Sequence, residues 1–291
     1  METKIKTIIR RISNTRMAVL LSPMSQWIVF LQVCLLKTLW FLKGKRKPNQ
    51  DERRLVKGNV TFIFKSFERQ KMAKCLYKNI QSYYPGVKVI IADDSCRPLE
   101  LNGENLEVIQ LPFNSGLSAG LNRALEKVTT PFVIRMDDDE LLTPYTCFHE
   151  QLKFLMAHEE VDLVGILPFN LPQCANLEKA ALVYYKQPMS NAPKKLKIPH
   201  MTKIDETHIV AGKVPNIFIA RTEKIREVGY DNHIRMIDHN EFFYRAAGNI
   251  VSVLDPTCFV LHCHNCFDRH YQQYRADIDG DVKYIRMKMK L

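Results

Sequence analysis

Short apolar runs alternate with amphipathic segments in the first half of the chain. Four runs have the length of buried strands, at residues 60–64, 87–92, 106–111 and 132–136. Between them, apolar residues recur at the spacing of a helix, first around Leu76 and again around Leu121. This alternation predicts a parallel α/β sheet with right-handed crossovers and helices on its faces.

The second half of the chain is less regular. Strands are predicted at 161–167 and 214–220, and a helix is predicted from Thr222. Two closing strands are predicted at 250–254 and 258–261. Residues 168–206 contain several prolines and lysines and are predicted as a long loop. Because a loop of this length inside a compact domain is usually functional, it is either an acceptor-binding insertion or lid, or a plain surface loop.

An uncharged apolar stretch covers residues 17–36 and has basic flanks. It is long enough to cross a bilayer, but serine, proline and glutamine residues dilute it. Two interpretations stay open, a helix that lies in the membrane interface and a single transmembrane helix. Residues 43–50 are predicted as a polar, basic linker.

This pattern divides the chain into an arm and one domain. Residues 1–57 form the basic, apolar, membrane-associating arm with its linker, and residues 58–291 form the domain. Within the domain we expect a nucleotide-binding half at 58–140 and an acceptor-binding half at 141–270. Residues 271–291 are expected to form a basic C-terminal tail that touches the same membrane.

The arm carries most of the net charge of +11. Residues 1–57 contain 13 Lys/Arg and 3 Asp/Glu, whereas the remaining 234 residues contain 29 and 28. A nearly neutral body argues against a nucleic-acid binder, and a basic arm beside apolar sequence points to an anionic membrane surface. The eight cysteines have no disulfide spacing and are interpreted as reduced thiols of a cytosolic protein. A zinc site in the Cys/His cluster at 258–266 is disfavoured.

The fourth predicted strand runs directly into three aspartates, residues 137–139. Burying an unpaired carboxylate is unfavourable, so a cation should neutralise them, and grouped oxygen ligands suit Mg²⁺ or Mn²⁺. The alternative is a solvated acidic turn that caps the next helix. Ser66, Asp93 and Asp94 also follow predicted strands, and ligands of parallel α/β sheets bind at that edge. This convergence favours a binding site.

Five segments resemble one enzyme family in their order and spacing. They are KSFERQKMAKCL (65–76), YYPGVKVIIADDS (83–95), NSGLSAGLNRALEKVTTPFVIRMDDDE (114–140), PNIFIARTEKIREVGYD (215–231) and DHNEFFYR (238–245). On these segments the chain resembles the family 2 glycosyltransferases with the GT-A fold, in particular the ganglioside β1,4-N-acetylgalactosaminyltransferase-like branch and its bacterial relatives. The resemblance covers most of residues 60–265.

The resemblance implies a fold, a donor and a metal. The expected fold is a GT-A domain, a Rossmann-like and mostly parallel sheet flanked by helices. The expected donor is a nucleotide-diphospho-sugar, UDP-linked, bound with Mn²⁺ or Mg²⁺. Asp139 would ligate the metal together with His262, for which His264 is the alternative. The expected donor-binding residues are Ser66, Arg69, Asp93, Asp94, Gly116, Asn122, Asp137 and Asp138.

The resemblance also implies where the catalytic groups lie. The base that deprotonates the acceptor is expected in the segment DHNEFF, where Asp238 and Glu241 share one face of a helix. Asp238 is favoured, and Glu241 and His239 stay as alternatives. Gly120 would allow close approach to the ligand, and the family's arginine before Asn122 is replaced here by leucine. The residues that would close over the phosphates are Arg269, Tyr271, Tyr274 and Arg275.

The implied function is an inverting, metal-dependent hexosyl- or N-acetylhexosaminyltransferase that builds surface polysaccharide such as capsule or lipopolysaccharide. Its acceptor would be a hydroxyl of a glycan or lipid-linked glycan. The alternatives are an inactive binding protein on the same fold and a sugar nucleotidyltransferase, although FKSFERQ lacks the glycines of a nucleotidyltransferase phosphate loop. The expected location is the cytoplasmic face of a bacterial inner membrane, and the alternative is a type II membrane protein of the Golgi.

Overall fold

The computed structural model of the protein describes residues 17–174, 176–265, 267–275 and 278–289. The basic segment 1–16, Cys266 and the last two residues of the predicted tail lie outside these ranges. The strands are β1 (Val60–Ser66), β2 (Lys88–Asp93), β3 (Leu106–Gln110), β4 (Phe132–Asp137), β5 (Glu140–Leu141), β6 (Leu163–Leu171), β7 (Ile209–Val210), β8 (Phe218–Arg221) and β9 (Ser252–Cys263). The helices are α1 (Met17–Leu42), α2 (Gln50–Asn59), α3 (Gln70–Tyr83), α4 (Leu117–Glu126), α5 (Phe148–Ala157), α6 (Leu177–Tyr185), α7 (Thr222–Val228), α8 (His239–Ala246), α9 (Arg269–Arg275) and α10 (Asp279–Met289).

Nine strands form one mixed sheet in the order β3-β2-β1-β4-β8-β6-β9-β5, with β7 paired to β9. β1 pairs in parallel with β2 and β4, β2 pairs in parallel with β3, and β6 with β9. β8 runs antiparallel between β4 and β6. The prediction of an α/β fold with a mostly parallel sheet is confirmed.

Helices cover both faces of the β1–β4 region because successive side chains of a strand point to opposite faces. Phe62 and Phe64 of β1 belong to the same buried cluster as Leu76 of α3. Ile63, between them, packs in a second cluster with Leu121 of α4. The carboxyl ends of β1, β2 and β4 therefore meet at one edge of the sheet, with polar residues immediately beyond them.

The two predicted closing strands are one continuous strand, β9. The register of β9 against β6 shifts just after Asp255, where Pro256 has no N–H to donate. Asp255 accepts a hydrogen bond from the backbone N–H of Thr257 at 2.8 Å, which stabilises the bulge. The apolar pattern is interrupted at this bulge, and for that reason it predicted two strands.

Three helices occupy segments that the sequence pattern predicted as linker, loop or tail. α2 follows the linker directly, α6 lies inside the loop-rich segment 168–206, and α10 forms the C-terminal tail. α2 and α6 begin at asparagine caps, since Asn49 accepts the backbone N–H of Glu52 and Asn176 that of Lys179. Each of the three helices buries only one to three residues, so its helical period is weak in the sequence.

The apolar arm is a long helix, α1, that packs against the domain along one stripe. Val33 and Trp40 of α1 belong to a buried cluster with Leu171, Leu261 and Cys263. Residues 20–42 of the helix have the length and the mean hydropathy, 1.4, of a membrane-crossing helix, but nothing beyond length and composition identifies them as one.

Candidate active site

A cleft of about 310 Å³ opens at the carboxyl edge of β1 and β4. A volume of this order is typical of small-molecule sites. Both halves of the chain contribute side chains to its wall, which includes Lys65, Phe67, Arg69, Asn114, Gly116, Asp137, Asp138, Asp139, Asn216, Arg235, Met236, His262, His264, Tyr271 and Tyr274.

β4 delivers the three aspartates to this cleft, and Arg69 neutralises two of them. Asp138 and Asp139 are buried, and Arg69 forms ion pairs with both, with Nη1 2.9 Å from Oδ2 of Asp139. The guanidinium also stacks on the ring of Tyr271, 4.0 Å from its centroid. Burial raises the pKa of Asp139, but the charges of Arg69 and His262 outweigh burial and hold that pKa below its usual range. Burial raises the pKa of Asp138.

A potential metal-binding set lies beside the aspartates. Asp139, His262 and His264 each offer a ligand atom, and these atoms lie within 4.8 Å of one another. The pairing of β5 with β9 sets Glu140 opposite His262, so the sheet register brings the histidine to the aspartate motif. A carboxylate with two imidazoles is a donor set that suits Mn²⁺. The residues present therefore fit the metal that the resemblance implies.

His262 is oriented by both of its ring nitrogens. Nδ1 lies 2.6 Å from Oδ1 of Asn170, while Nε2 lies 3.5 Å from Oδ1 of Asp139. A second partner of this kind fixes the ring orientation of a metal-binding histidine. Burial lowers the pKa of His262, but the nearby Asp139 carboxylate outweighs burial and raises the pKa to about 9.

On the other side of the cleft, Asp94 organises the loop that leads into α4. Its carboxylate accepts the backbone N–H of Gly116 at 2.9 Å and pairs with Lys65 Nζ at 2.6 Å. Gly116 has a φ of +100°, and a Cβ there would lie 3.0 Å from the Cα of Arg235. Only glycine accommodates both features, which places this backbone at the cleft wall. Gly120 packs against Lys65 and not against the cleft.

Two aromatic rings of the wall near Lys65, Phe67 and Tyr274, form a cluster with Phe113 behind them. Phe67, Phe113 and Tyr274 lie in mutual contact, with centroid separations of 5.1 to 5.8 Å. Lys65 Nζ lies 4.5 Å from the centroid of Phe67. This arrangement combines an apolar platform with a cation at the end of β1, a combination that can hold a planar ring next to an anionic group.

A buried arginine connects the aspartate motif to the predicted base. Arg135 of β4 is fully buried, and its Nη2 lies 3.3 Å from Oδ1 of Asp137 and 3.5 Å from Oδ2 of Asp238. Nη1 donates to the backbone oxygen of Asn216 at 2.6 Å. Both carboxylate oxygens of Asp238 are buried without a well-formed hydrogen bond among the described residues, although the Asn216 side chain lies close enough to lower the pKa of Asp238. Burial raises the pKa of Asp238, and Arg135 opposes that rise.

The alternatives for the base lie in other contacts. Glu241 is fully buried and pairs with Arg245 at 2.5 Å and with Lys288 of α10 at 2.6 Å. His239 Nε2 lies 2.5 Å from the backbone oxygen of Val214, and burial lowers its pKa well below the usual value. Neither residue belongs to the cleft wall, and Asp238 does not line it either. Asp238 differs from both because it contacts Arg135, which in turn contacts Asp137 of the cleft wall.

Four predicted donor-binding residues do not line the cleft: Asp94, whose contacts are given above, Asp93, Ser66 and Asn122. Asp93 is buried and accepts hydrogen bonds from Ser95 Oγ and the backbone N–H of Leu99. Ser66 is fully buried at the end of β1. Asn122 bonds the backbone of Tyr230 through both its amide nitrogen and its oxygen. Their positions support the wall rather than form it.

The prediction from the sequence omitted several residues of the cleft wall. Lys65, Asn216, Arg235 and Met236 line the cleft but were not singled out from the sequence. A charged residue inside an apolar strand run is a usable signal, and both Lys65 and Arg135 carry it. Arg235 and Met236 lie in an irregular loop, where no periodicity marks them.

The comparisons with known proteins identify the family. A family model described as Glycosyl transferase family 2 matches residues 63–210, just over half of the chain. The chain belongs to glycosyl transferase family 2. The family assignment made from the sequence is thereby confirmed.

Curated relatives of this family 2 chain carry similar names. Mouse "Beta-1,4 N-acetylgalactosaminyltransferase 2" is 30% identical over 79% of this chain and 46% of its own length. Human "Beta-1,4 N-acetylgalactosaminyltransferase 1" is 34% identical over 66% of this chain and 36% of its own length. The chain thus spans less than half the length of these relatives.

Solved structures share the fold of this family 2 domain at low identity. S. aureus TarS 1-349 in complex with UDP-GlcNAc superposes with a TM-score of 0.51 at 16% identity, covering 70% of this chain and 58% of that chain. Mannosyltransferase PcManGT from Pyrobaculum calidifontis, in complex with GDP-Man and Mn²⁺, gives 0.52 at 15% identity, covering 96% and 76%. The GT-A fold is therefore confirmed.

Proposed function

We propose that this family 2 protein transfers a sugar from a UDP-linked donor to a hydroxyl of a glycan or lipid-linked glycan, with inversion at the anomeric carbon. One observation carries the proposal. The buried Arg135 contacts both Asp137, at the donor side of the cleft, and Asp238, the only one of the three predicted bases without a hydrogen-bonded or ion-paired anchor outside the site.

The comparisons support a nucleotide-sugar donor, one of them a UDP-sugar and another Mn²⁺. The relatives are named as N-acetylgalactosaminyltransferases, and the structural neighbours were solved with UDP-GlcNAc and with GDP-Man and Mn²⁺. The set Asp139, His262 and His264 is suited to holding Mn²⁺ or Mg²⁺. When bound there, the ion supplies Lewis-acid stabilisation of the leaving diphosphate.

The chain's own cations assist the leaving group. Lys65, Arg69 and Arg235 line the cleft, so their charges lie near a bound diphosphate. Fixed charges in a site from which water is largely excluded stabilise developing negative charge better than water does. The aromatic wall at Phe67 and Tyr274 is suited to stack on the nucleobase, and Asp94 fixes the backbone beneath it through Gly116.

Asp238 acts as the base. As the acceptor oxygen attacks the anomeric carbon, its hydroxyl proton passes to the Asp238 carboxylate, and the bond from that carbon to the diphosphate oxygen breaks with its electron pair. Burial raises the pKa of Asp238, which favours proton uptake, and the charge of Arg135 acts against that rise. A single displacement of this kind inverts the anomeric centre.

We place the enzyme on the cytoplasmic face of a bacterial inner membrane, where it would help to build a surface polysaccharide. The only glycosylation sequon, Asn59-Val60-Thr61, supports this choice over a Golgi lumen. The Asn59 amide donates to Leu55 O at 2.9 Å, and Thr61 is fully buried against Thr130. No disulfide joins the cysteines that the structure describes, which fits a reducing compartment.

A donor screen tests the proposal. The purified protein is incubated with Mn²⁺ and each of a set of UDP-, GDP- and CMP-sugars, and the released nucleotide is measured. We expect slow UDP release from a UDP-sugar and faster release when the correct glycan acceptor is present, with the product anomer opposite to the donor's. A folded protein that binds donors but releases no nucleotide with any acceptor would identify an inactive binding protein instead.

A further inference from the structure

The helix α1 has two different faces. The positions that face the domain follow one another three or four residues apart, and they include Ser25, Val33 and Trp40. Trp40 lies 5.9 Å from the Tyr145 ring and 6.1 Å from the Phe259 ring. Such a stripe is the pattern of a helix packed lengthwise on a protein surface.

Two polar bonds, one near the start of this stripe and one near its middle, fix the helix in place, and Trp40 packs near its end. Gln32 Nε2 donates to the backbone oxygen of Pro172 at 3.0 Å, and Asn265 Nδ2 donates to Ser22 Oγ at 3.1 Å. The two contacts lie ten residues apart along α1, about 15 Å. The helix is therefore held along most of its length and is not a free segment that leads away from the domain.

The opposite face of α1 is apolar and exposed. Leu20, Trp27, Leu31 and Leu35 are each more than half exposed, and together they run along the helix for about 23 Å. Soluble monomers rarely expose a continuous apolar surface of this extent. The described residues outside α1 provide no cover for it, so this face requires an apolar partner.

The charges around α1 identify the partner as an anionic bilayer. Lys37 is exposed within the helix, and Lys43, Lys45 and Arg46 follow its end, all exposed. The segment before the helix adds five Lys/Arg and one Glu in the sequence. Basic residues beside an exposed apolar face complement acidic lipid headgroups.

We infer that α1 lies in the plane of an anionic membrane, with its domain-facing stripe kept on the protein and its opposite face in the lipid. A membrane-crossing helix would have to lose the Trp40, Gln32 and Ser22 contacts to the domain. This position of α1 has a consequence for the acceptor, which rests on the proposed function. Leu261 and Cys263 pack on α1, and His262 between them faces the cleft, so a lipid-borne acceptor would meet the metal end of the site.

The two tryptophans of the chain allow a direct depth measurement, because Trp27 is on the exposed face and Trp40 on the packed one. The full chain with Trp40→Phe is mixed with vesicles of phosphatidylglycerol and phosphatidylcholine that carry bromines either high on the acyl chain or at its methyl end. Trp27 lies within about 4 Å of the middle of α1, so a crossing helix would place it near the bilayer centre.

We expect a blue shift of Trp27 emission and stronger quenching by the shallow bromines, because an in-plane helix lies near the headgroup boundary. Stronger quenching by the deep bromines, or no spectral response to anionic vesicles, overturns the inference. The Trp27→Phe variant is the matched control, in which buried Trp40 should respond to neither lipid. A change in Trp40 emission would show that α1 leaves the domain and also overturns it.

Surface variants test the partner's chemistry by vesicle sedimentation. Leu31→Glu with Leu35→Glu should abolish binding, whereas Met156→Glu, at an exposed apolar residue of α5, should not. The substitutions Lys43→Gln and Arg46→Gln should each lower binding to anionic vesicles about fivefold, because each removes one positive charge. Equal binding by all variants contradicts the inference. These measurements use no donor sugar, so they separate this inference from the proposed reaction.

Discussion

Arg135 Nη2 lies 3.5 Å from Asp238 Oδ2, in a position where both side chains are almost completely buried. Arg135 belongs to the strand that ends in the aspartate motif, and Asp238 is the residue just before α8. A charge that is removed from water must be compensated nearby, and each of these two compensates the other. The pair therefore ties the proposed base to the donor side of the cleft.

The Asp238→Asn variant should lose turnover and keep donor binding. Without a carboxylate to accept the proton, we expect kcat to fall by about 10² to 10⁴ while the donor KM changes little. Glu241→Gln is the matched control, since that carboxylate is paired with Arg245 and Lys288. It should lower stability more than turnover. Steady-state kinetics on both variants checks this, and the opposite ranking would make Glu241 the base.

The Arg135→Met variant should move the acid limb of the pH–rate profile upward. Burial raises the pKa of Asp238 and Arg135 lowers it, so removing the cation leaves the rise unopposed. Because the base works only when it is ionised, activity should be lost at a higher pH than in the parent protein. The measurement is kcat/KM against pH.

Arg135→Lys is the control for this experiment, since it keeps the charge but not the planar fork. Removing one partner of a buried pair destabilises a protein by about 3–5 kcal/mol, so folding must be checked by circular dichroism. A purely structural role would lower activity equally at every pH and leave the limb where it was.

The Asp139→Asn variant should weaken Mn²⁺ binding without unfolding the protein. Asp139 provides the only carboxylate in the described three-residue set, and its charge holds most of the attraction for a divalent ion. Calorimetric titration of the donor-free protein with Mn²⁺ measures this directly. His262→Ala and His264→Ala should each lower affinity as well. Unchanged Mn²⁺ affinity in all three variants would show that the ion binds elsewhere.

The Arg69→Met variant should bind Mn²⁺ more tightly than the parent protein. Arg69 pairs with Asp138 and Asp139, so it competes with a divalent ion for the same carboxylates. Titration in the absence of donor measures the change. Arg123→Met is the control, because its ion pair with Glu126 lies on the exposed surface of α4. Weaker Mn²⁺ binding in the Arg69 variant would mean that Arg69 organises the site instead of competing for it.

The Asp281→Asn variant should loosen the loop that brings Arg235 and Met236 to the cleft wall. Asp281 of α10 accepts backbone N–H groups of Arg235 at 3.1 Å, Met236 at 2.8 Å and Ile237 at 3.3 Å. Hydrogen bonds to a charged group contribute about 1.5–3 kcal/mol, so we expect a lower urea midpoint together with lower kcat. Asp279→Asn, an exposed residue two positions earlier, should change neither.

The first half of the fold could be predicted from local patterns. The strand runs and the helical spacing around Leu76 and Leu121 are strong because each element buries one full face. Segments whose apolar stripes are short gave weaker signals, and so α2, α6 and α10 were predicted as linker, loop and tail. The bulge at Pro256 had a local cause, but only the pairing with β6 shows that β9 continues through it.

Part of the site could also be predicted, because several of its carboxylates directly follow strands that are recognisable in the sequence. Asp137, Asp138 and Asp139 follow β4, and Asp94 follows β2, where parallel sheets bind ligands. Local spacing could not decide between Asp238 and Glu241, which share a helix turn. That choice depends on Arg135 and Lys288, which lie far away in the chain.

The sequence by itself determined the strands and helices between residues 60 and 137, the family, and the residue types gathered at the sheet edge, since these depend on neighbours a few positions apart. Only the tertiary structure decided which carboxylates face the cleft, that Arg69 neutralises the aspartates, and that α1 keeps one face on the domain. Those outcomes depend on which charges and apolar surfaces meet when segments distant in the chain come together, because burial makes an unpaired charge unfavourable and an uncovered apolar face unstable.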